Sequence, residues 1–308
     1  EGLYKHSGTM AKLQQISALK RQFAYRLIVD ESFSFGTVGP TGRGALEHYG
    51  LKPMYDAEVV IVGLEQALGS IGGICVGTEE VVDHQRLSGA GYCFSASAPP
   101  FIAKAALASL QHLQPQLEQA STSKPSNLLQ KLNDNRKYMY ELLSHQNNIK
   151  GIIPDKLIVT SQEISPIVFL QLSPFVLQNY KNDDNTDNDE ATESNNAIKK
   201  SSSSLSSSTD ISNNNANNIT PNKKNKKPIL LSRDEQTRLL DKIAFQCLEK
   251  GVAIISTGRS VSMMEDMESN SHFVTPLPSL KLVVNAVQTK EHLEKCVDVL
   301  REVVMEVL

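Results

Sequence analysis

The sequence has 308 residues, 40% of them hydrophobic, and a formal net charge of −3 at pH 7. This length and apolar content suffice to bury a sizeable core, with room for two domains of about 150 residues each. Lysines and arginines are dispersed rather than clustered, which argues against a nucleic-acid-binding protein. The four cysteines show no Cys-x-x-Cys spacing and lie in apolar runs, so we expect buried, reduced thiols and no zinc or other metal site.

The first third of the chain alternates helix and strand signals. Apolar residues spaced as on one helix face predict a helix between Met10 and Arg26. The next apolar run predicts a buried parallel strand that delivers Asp30 at its end, and a glycine-rich loop follows at 36–44. Further predicted elements are a short helix and two strands, at 46–49, 57–62 and 72–76. This alternation favours an α/β sheet with functional loops along one edge.

The rest of the sequence predicts a smaller α+β unit. Pro99 and Pro100 precede a long helix that reaches Leu113, because proline is tolerated in the first helical turn. A capping pattern, Ser232 followed by Glu235, predicts the start of another helix. Further helices are predicted at 128–143 and 290–308, and strands at 165–172, 252–256 and 280–285. Between 179 and 228 the composition changes to Asn, Ser, Asp and Lys, which predicts a disordered insert.

Two motifs in the first third resemble the α-oxoamine synthases, a family of fold-type I enzymes that use pyridoxal phosphate (PLP). Residues 29–36 read VDESFSFG, where the family has Asp-x-x-His-Ser-x-Gly. Residues 65–73 read EQALGSIGG, where the family has Ser/Thr-Lys-x-x-Gly-x-x-Gly-Gly. The resemblance implies an α/β fold-type I PLP-transferase-like architecture. It places 1–105 in the C-terminal part of the large domain and 106–308 in a small α+β domain, interrupted by the insert 179–228.

The resemblance also implies that the catalytic chemistry has been lost. Gln66 stands where the family has the Schiff-base lysine, and an amide nitrogen cannot form that imine because its lone pair is delocalised into the carbonyl. Phe33 stands at the family's histidine, which contacts the cofactor. Ser279 stands at the arginine that grips the substrate carboxylate, and a serine hydroxyl cannot replace that charged fork. No catalytic residue is therefore expected in this chain.

The resemblance places two residues of this chain, Asp30 and Ser95, at positions that contact PLP in the family. In the family the aspartate at the position of Asp30 pairs with the pyridine nitrogen of PLP. Asp30 is either a vestige of that contact or a strand-end residue that caps the following loop. Ser95 stands at a threonine that reaches across the dimer interface to the phosphate of the neighbouring subunit's PLP. Alternatively, Ser95 only caps the helix that begins near Pro99.

Residues 83–100, DHQRLSGAGYCFSASAPP, are similar to the long-chain-base subunits of serine palmitoyltransferases, the members that lack the lysine. That likeness implies a non-lysine subunit of an enzyme that condenses L-serine with palmitoyl-CoA to 3-ketosphinganine. PLP would be bound through a homologous lysine-bearing catalytic subunit, and small regulatory membrane subunits are further expected partners. We expect a location at the endoplasmic reticulum membrane with this part facing the cytosol. The sequence is taken as a C-terminal fragment whose missing N-terminal part carries the membrane anchor.

Two other functions remain open from the sequence. The chain could be a self-sufficient homodimeric PLP-dependent oxoamine synthase, against which Gln66 argues. It could also be a non-catalytic scaffold that uses the same fold without completing any partner's active site.

Overall fold

The computed structural model describes residues 1–113, 127–144, 156–180, 231–258 and 276–308. The helices in these ranges are α1 Leu13–Phe23, α2 Ala45–His48, α3 Leu64–Ala67, α4 Glu79–Ser88, α5 Ala90–Phe94, α6 Pro100–Leu113, α7 Asn127–Ser144, α8 Pro174–Asn179, α9 Arg233–Glu249 and α10 Lys290–Val307. The strands are β1 Ile28–Asp30, β2 Val59–Gly63, β3 Gly73–Val76, β4 Leu157–Val159, β5 Ile167–Leu172, β6 Ile255–Ser256 and β7 Leu280–Val283.

The first sheet has the order β1-β2-β3. β1 runs parallel to β2, with Asp30 opposite Ile61, and β3 returns antiparallel to β2. The parallel strand that ends at Asp30 is therefore confirmed. The expectation that this strand is buried is wrong in part, because Ile28 is 61% exposed at the sheet edge formed by the described residues. Only Val29 of this strand points into the core.

A first hydrophobic core joins this sheet to the N-terminal residues. It gathers apolar side chains from the first turn, α1, the glycine-rich loop, α2 and the inner face of the sheet, among them Leu3, Leu13, Val29, Val38, Leu46, Val60 and Val62. The N-terminal turn lies beside β1, because the Gly2 backbone N–H donates to the Asp30 carbonyl at 2.7 Å. This packing fixes the end of β1 and the loops that follow it.

The second sheet is antiparallel and has the order β4-β5-β7-β6. It packs with α7, α9 and α10 around a second core, whose fully buried members include Leu170, Leu240, Ile243, Leu280 and Leu300. Both long C-terminal helices begin with a capping box, Ser232 with Glu235 and Thr289 with His292. The capping prediction at Ser232 is confirmed. The helices α3, α4, α5 and α8 and the strand β4 were not predicted.

The predicted insert lies almost wholly outside the described residues. Asn179 closes α8, and Tyr180 packs against the second core. On the far side of the insert, the Leu231 backbone N–H donates to the Leu177 carbonyl at 3.1 Å. The described residues on either side of the insert, Leu177 and Leu231, therefore lie side by side.

All four cysteines are free thiols, but they differ in burial. Cys247 is buried, and Cys75 and Cys296 are partly buried. Burial raises the pKa of both Cys247 and Cys296 to about 11, so these thiols are protonated and unreactive. The expectation of buried thiols is wrong for Cys93, which is exposed on α5. None of the described helices is both long enough and apolar enough to span a bilayer.

Candidate functional site

The candidate site lies where β1 and β2 end and their loops meet. Asp30 is the last residue of β1 and is partly buried. Its Oδ1 accepts a hydrogen bond from the Ser32 backbone N–H at 2.8 Å, and the Ser32 hydroxyl accepts one from the Gly63 N–H at 2.7 Å. Asp30 thus begins a local turn that ties the end of β1 to the end of β2. A remaining contact of Asp30 with a cofactor stays a prediction.

Glu31 organises the glycine-rich loop, and the sequence reasoning missed it. Its side chain is only 1% exposed and accepts backbone bonds from Ala45 at 2.7 Å and Leu46 at 2.8 Å, together with a bond from the Ser34 hydroxyl. The carboxylate therefore caps the N-terminus of α2 from inside the protein, where its negative charge is favourable. Gly44 (φ 101°) is required beside it, because a Cβ there would lie 2.5 Å from Glu31 Oε2.

One sequence signal points to this role. α2 begins after a glycine and has no side-chain cap of its own. A helix start without Ser, Thr, Asp or Asn needs a partner from elsewhere in the chain.

The structure brings Phe33 and Gln66 together at one cavity of about 330 Å³. Phe33 follows β1, whereas Gln66 is exposed in the short helix α3. The other wall of the cavity is mostly aliphatic and comes from α7 and from the segment after β7, including Leu128, Leu132, Val284 and Val287. The two positions that the family resemblance singled out are therefore neighbours in space.

The residues present do not fit covalently bound PLP. Within the described part of the chain, the residues that line this cavity include no lysine and no arginine. An imine requires a lysine amine, and the dianionic phosphate of PLP is usually held by charged or polar donors. The described lining offers no amine and no charged donor, and its polar side chains are the neutral Thr37, Gln66 and Asn285.

Ser279 lies in a different place from this cavity. It is buried just before β7, its hydroxyl donates to the Leu277 carbonyl at 2.8 Å, and it accepts from Gln171 Nε2 at 3.3 Å. Its backbone also pairs with Thr257, by a bond of 2.9 Å from the Thr257 N–H to the Ser279 carbonyl. Ser279 is thus a structural residue of the second sheet.

Ser95 follows α5 on an exposed surface. Its hydroxyl donates to the Gly91 carbonyl within α5, so it bonds the helix before it rather than α6 after it. The alternative in which Ser95 caps α6 is therefore not seen. The neighbouring Phe94 is 90% exposed and Phe101, at the start of α6, is 70% exposed.

Arg136, on α7, links the loop of the candidate site to the second core. Its guanidinium donates to the Thr37 carbonyl at 3.2 Å and to the Ile164 carbonyl at 2.7 Å. Burial lowers the pKa of Arg136, and Glu163 acts in the opposite direction. The bond to Thr37 holds the loop that carries Phe33 against the α+β unit.

A family model described as aminotransferase class I and II matches residues 5–182, more than half of the sequence. The chain belongs to this aminotransferase family. Its PLP-transferase-like α/β fold, expected from the sequence, is thereby confirmed.

Curated relatives of this aminotransferase-family chain carry names from long-chain-base synthesis. Long chain base biosynthesis protein 1b of Oryza sativa subsp. japonica is 41% identical over 172 residues, which are 56% of this chain and 32% of that protein. Serine palmitoyltransferase 1 of Dictyostelium discoideum is 38% identical over 188 residues, 61% of this chain and 36% of that protein. The matched part spans about a third of the length of these relatives.

Solved structures agree on the fold. The serine palmitoyltransferase of Sphingomonas wittichii superposes with a TM-score of 0.63 at 15% identity, covering 99% of this chain and 54% of that one. The 8-amino-7-oxononanoate synthase of Francisella tularensis gives a TM-score of 0.58 at 17% identity, covering 99% and 62%. At such identities the likeness shows the fold alone.

Proposed function

We propose that this chain is the non-lysine subunit of a heteromeric serine palmitoyltransferase, which makes 3-ketosphinganine from L-serine and palmitoyl-CoA. A homologous lysine-bearing subunit holds PLP and carries out the chemistry, and this chain completes and stabilises its active site. The observation that carries the proposal is Gln66, which lies beside Phe33 in an aliphatic cavity where an enzyme of this family needs its lysine. The printed names of the relatives support the substrate class.

Exposed apolar side chains support the proposal that this chain binds a partner subunit. Large hydrophobic side chains are exposed along the α3–β3 loop, β3, α5 and the start of α6, namely Ile71, Ile74, Val76, Phe94 and Phe101. A surface of this kind is typical of a protein interface. We assign these exposed side chains to contact with the lysine-bearing homologue, because Ser95, the residue expected to reach the partner's PLP phosphate, is exposed and directly follows Phe94.

The proposal extends to location and to further partners. The complex would lie at the endoplasmic reticulum membrane with this part of the chain facing the cytosol, and it would bind small regulatory membrane subunits. Protease protection of tagged microsomes tests the location. Digestion of this chain in sealed microsomes is expected, whereas protection until detergent is added would contradict it.

Ser95→Phe tests the shared active site. A hydroxyl that donates to a dianionic phosphate is worth about 1.5–3 kcal/mol, so the mutant complex should assemble but retain less PLP or lose selectivity for serine. Ser95→Ala removes only the hydroxyl and should act in the same direction with a smaller effect. Wild-type PLP occupancy, serine kinetics and amino-acid selectivity in both variants would exclude Ser95 from the active site.

A binding assay separates this proposal from a scaffold. The chain should co-purify with a lysine-bearing homologue, and synthase activity should disappear when the chain is deleted. Synthase activity of the homologue that persists without this chain would favour a non-catalytic scaffold that has the same fold.

A further inference from the structure

A second cavity, also of about 330 Å³, lies between the N-terminal turn and the second sheet, away from Phe33 and Gln66. Its walls carry cationic, hydroxyl and apolar groups, chiefly Lys5, His6, Phe169, Ser256, Pro276 and Lys281. A cavity of this size is within the range of small-molecule sites. Its mixture of charge and apolar surface differs from the aliphatic cavity at the candidate site.

Lys281 is the central cation of this cavity. It lies on β7 with Phe169 on one side and Ile255 on the other, in one row across the sheet. Burial lowers the pKa of Lys281, and the nearby charge of Lys5 lowers it further. Among the described residues neither lysine forms an ion pair with a carboxylate. A partly buried charge without a counter-charge costs free energy, so an anion that enters the cavity would be favoured.

His6 faces the same space. Burial lowers the pKa of His6, as do Lys5 and Lys281, whereas Glu1 raises it. Glu1 is committed to another contact, because its carboxylate accepts the Lys5 backbone N–H at 2.8 Å. The protein therefore offsets the repulsion between the Lys5 and Lys281 charges only partly, and a bound anion would relieve it.

The cavity is held in shape by contacts between the N-terminal turn and the α+β unit. The Gln162 backbone N–H donates to the Gly8 carbonyl at 3.0 Å, and Gln162 Oε1 accepts the Met10 N–H at 2.8 Å. Gly8 has a φ of 64°, and a Cβ there would lie 2.6 Å from the Ile167 carbonyl oxygen. The turn therefore approaches β5 closely and positions Lys5 and His6 above the sheet.

We propose that this cavity binds a phosphate monoester of a small organic molecule. Lys5 and Lys281 supply two positive charges, which match a phosphate dianion, whereas a carboxylate would leave one of them uncompensated. His6 supplies a further hydrogen bond to a phosphate oxygen. Phe169, Ile255 and Pro276 form the apolar wall against which the organic group packs.

Isothermal titration of the full chain with phenyl phosphate and with benzoate tests the proposal. Phenyl phosphate should bind more tightly than benzoate, which has the same ring and a single charge. Lys281→Met should weaken phenyl phosphate binding about tenfold or more, because one charge-assisted contact is lost. Lys5→Met should act in the same direction, and it remains informative if Lys281→Met fails to fold, because Lys5 is exposed.

Lys242→Met is the matched control, since Lys242 is exposed on α9 and does not line the cavity. Binding by this variant should equal that of the wild type. Absent binding of phenyl phosphate, equal affinity for benzoate, or an equal loss in all three lysine variants would each overturn the proposal.

Discussion

Glu31→Gln tests how the glycine-rich loop of the candidate site is held. The change keeps the shape of the side chain but replaces the carboxylate, which accepts backbone bonds from Ala45 and Leu46. In either orientation the amide NH₂ faces one of these N–H donors. One charge-assisted bond is lost, at a cost of about 1.5–3 kcal/mol, and the favourable charge at the start of α2 is lost, at about 0.3–1 kcal/mol. We therefore expect the free energy of unfolding to fall by about 2–4 kcal/mol.

Urea unfolding followed by far-ultraviolet circular dichroism measures this change, because the chain has no tryptophan to serve as a fluorescent probe. Glu141→Gln is the matched control, since Glu141 is exposed on α7 and should change the free energy by no more than about 0.5 kcal/mol. If Glu31→Gln also stays within that range, Glu31 does not hold the loop.

Three further predictions concern the rest of the fold. Arg136→Met should lower the free energy of unfolding by about 1.5–3 kcal/mol, because two carbonyls lose a charged donor; urea unfolding equal to wild type would contradict this. Replacing 182–228 by a short Gly/Ser linker should leave assembly with the partner unchanged, because Leu231 already bonds Leu177; a lower yield of complex would show that the insert binds or packs. Burial opposes ionisation of Asp56, but bonds from Lys52 and Ser17 outweigh it and lower its pKa. The stability from Asp56 should therefore be present above about pH 4, its unfolded value, and be lost as the pH falls through the lower folded pKa. Asp56→Asn should be less stable than wild type at neutral pH, with the difference narrowing in acid, and a gap that does not change with pH would count against the assignment.

The sequence predicted most of the secondary structure because local patterns determine it. The apolar run before Asp30 and the capping pattern at Ser232 produced the elements that were expected. The short helices α4 and α5 were missed, since their residues are largely exposed and show little apolar periodicity. Ile28 was expected to be buried and is exposed. An apolar strand has the same sequence pattern at the edge of a sheet as at its centre, so the sequence does not distinguish the two places.

The candidate site was only partly predictable from the sequence. The two family motifs put Gln66 and Phe33 at positions that in the family contact the cofactor, and the structure places both residues at one cavity. For Glu31 the sequence shows only that α2 lacks a cap of its own, not that a side chain 14 residues earlier supplies it. Lys5 and Lys281 come close although they lie near opposite ends of the sequence. Such contacts are set by tertiary packing, which no local pattern records.

The central claim is that this chain carries no PLP chemistry of its own and that its partner's activity depends on it. The most direct measurement is serine-dependent formation of 3-ketosphinganine by the purified chain, by the lysine-bearing homologue, and by the two together. We predict product only from the mixture, and none from the chain alone even as Gln66→Lys, since Phe33 and Ser279 still leave cofactor and carboxylate unsupported. Product from the wild-type chain alone, with PLP absorbance that borohydride abolishes, would contradict the account.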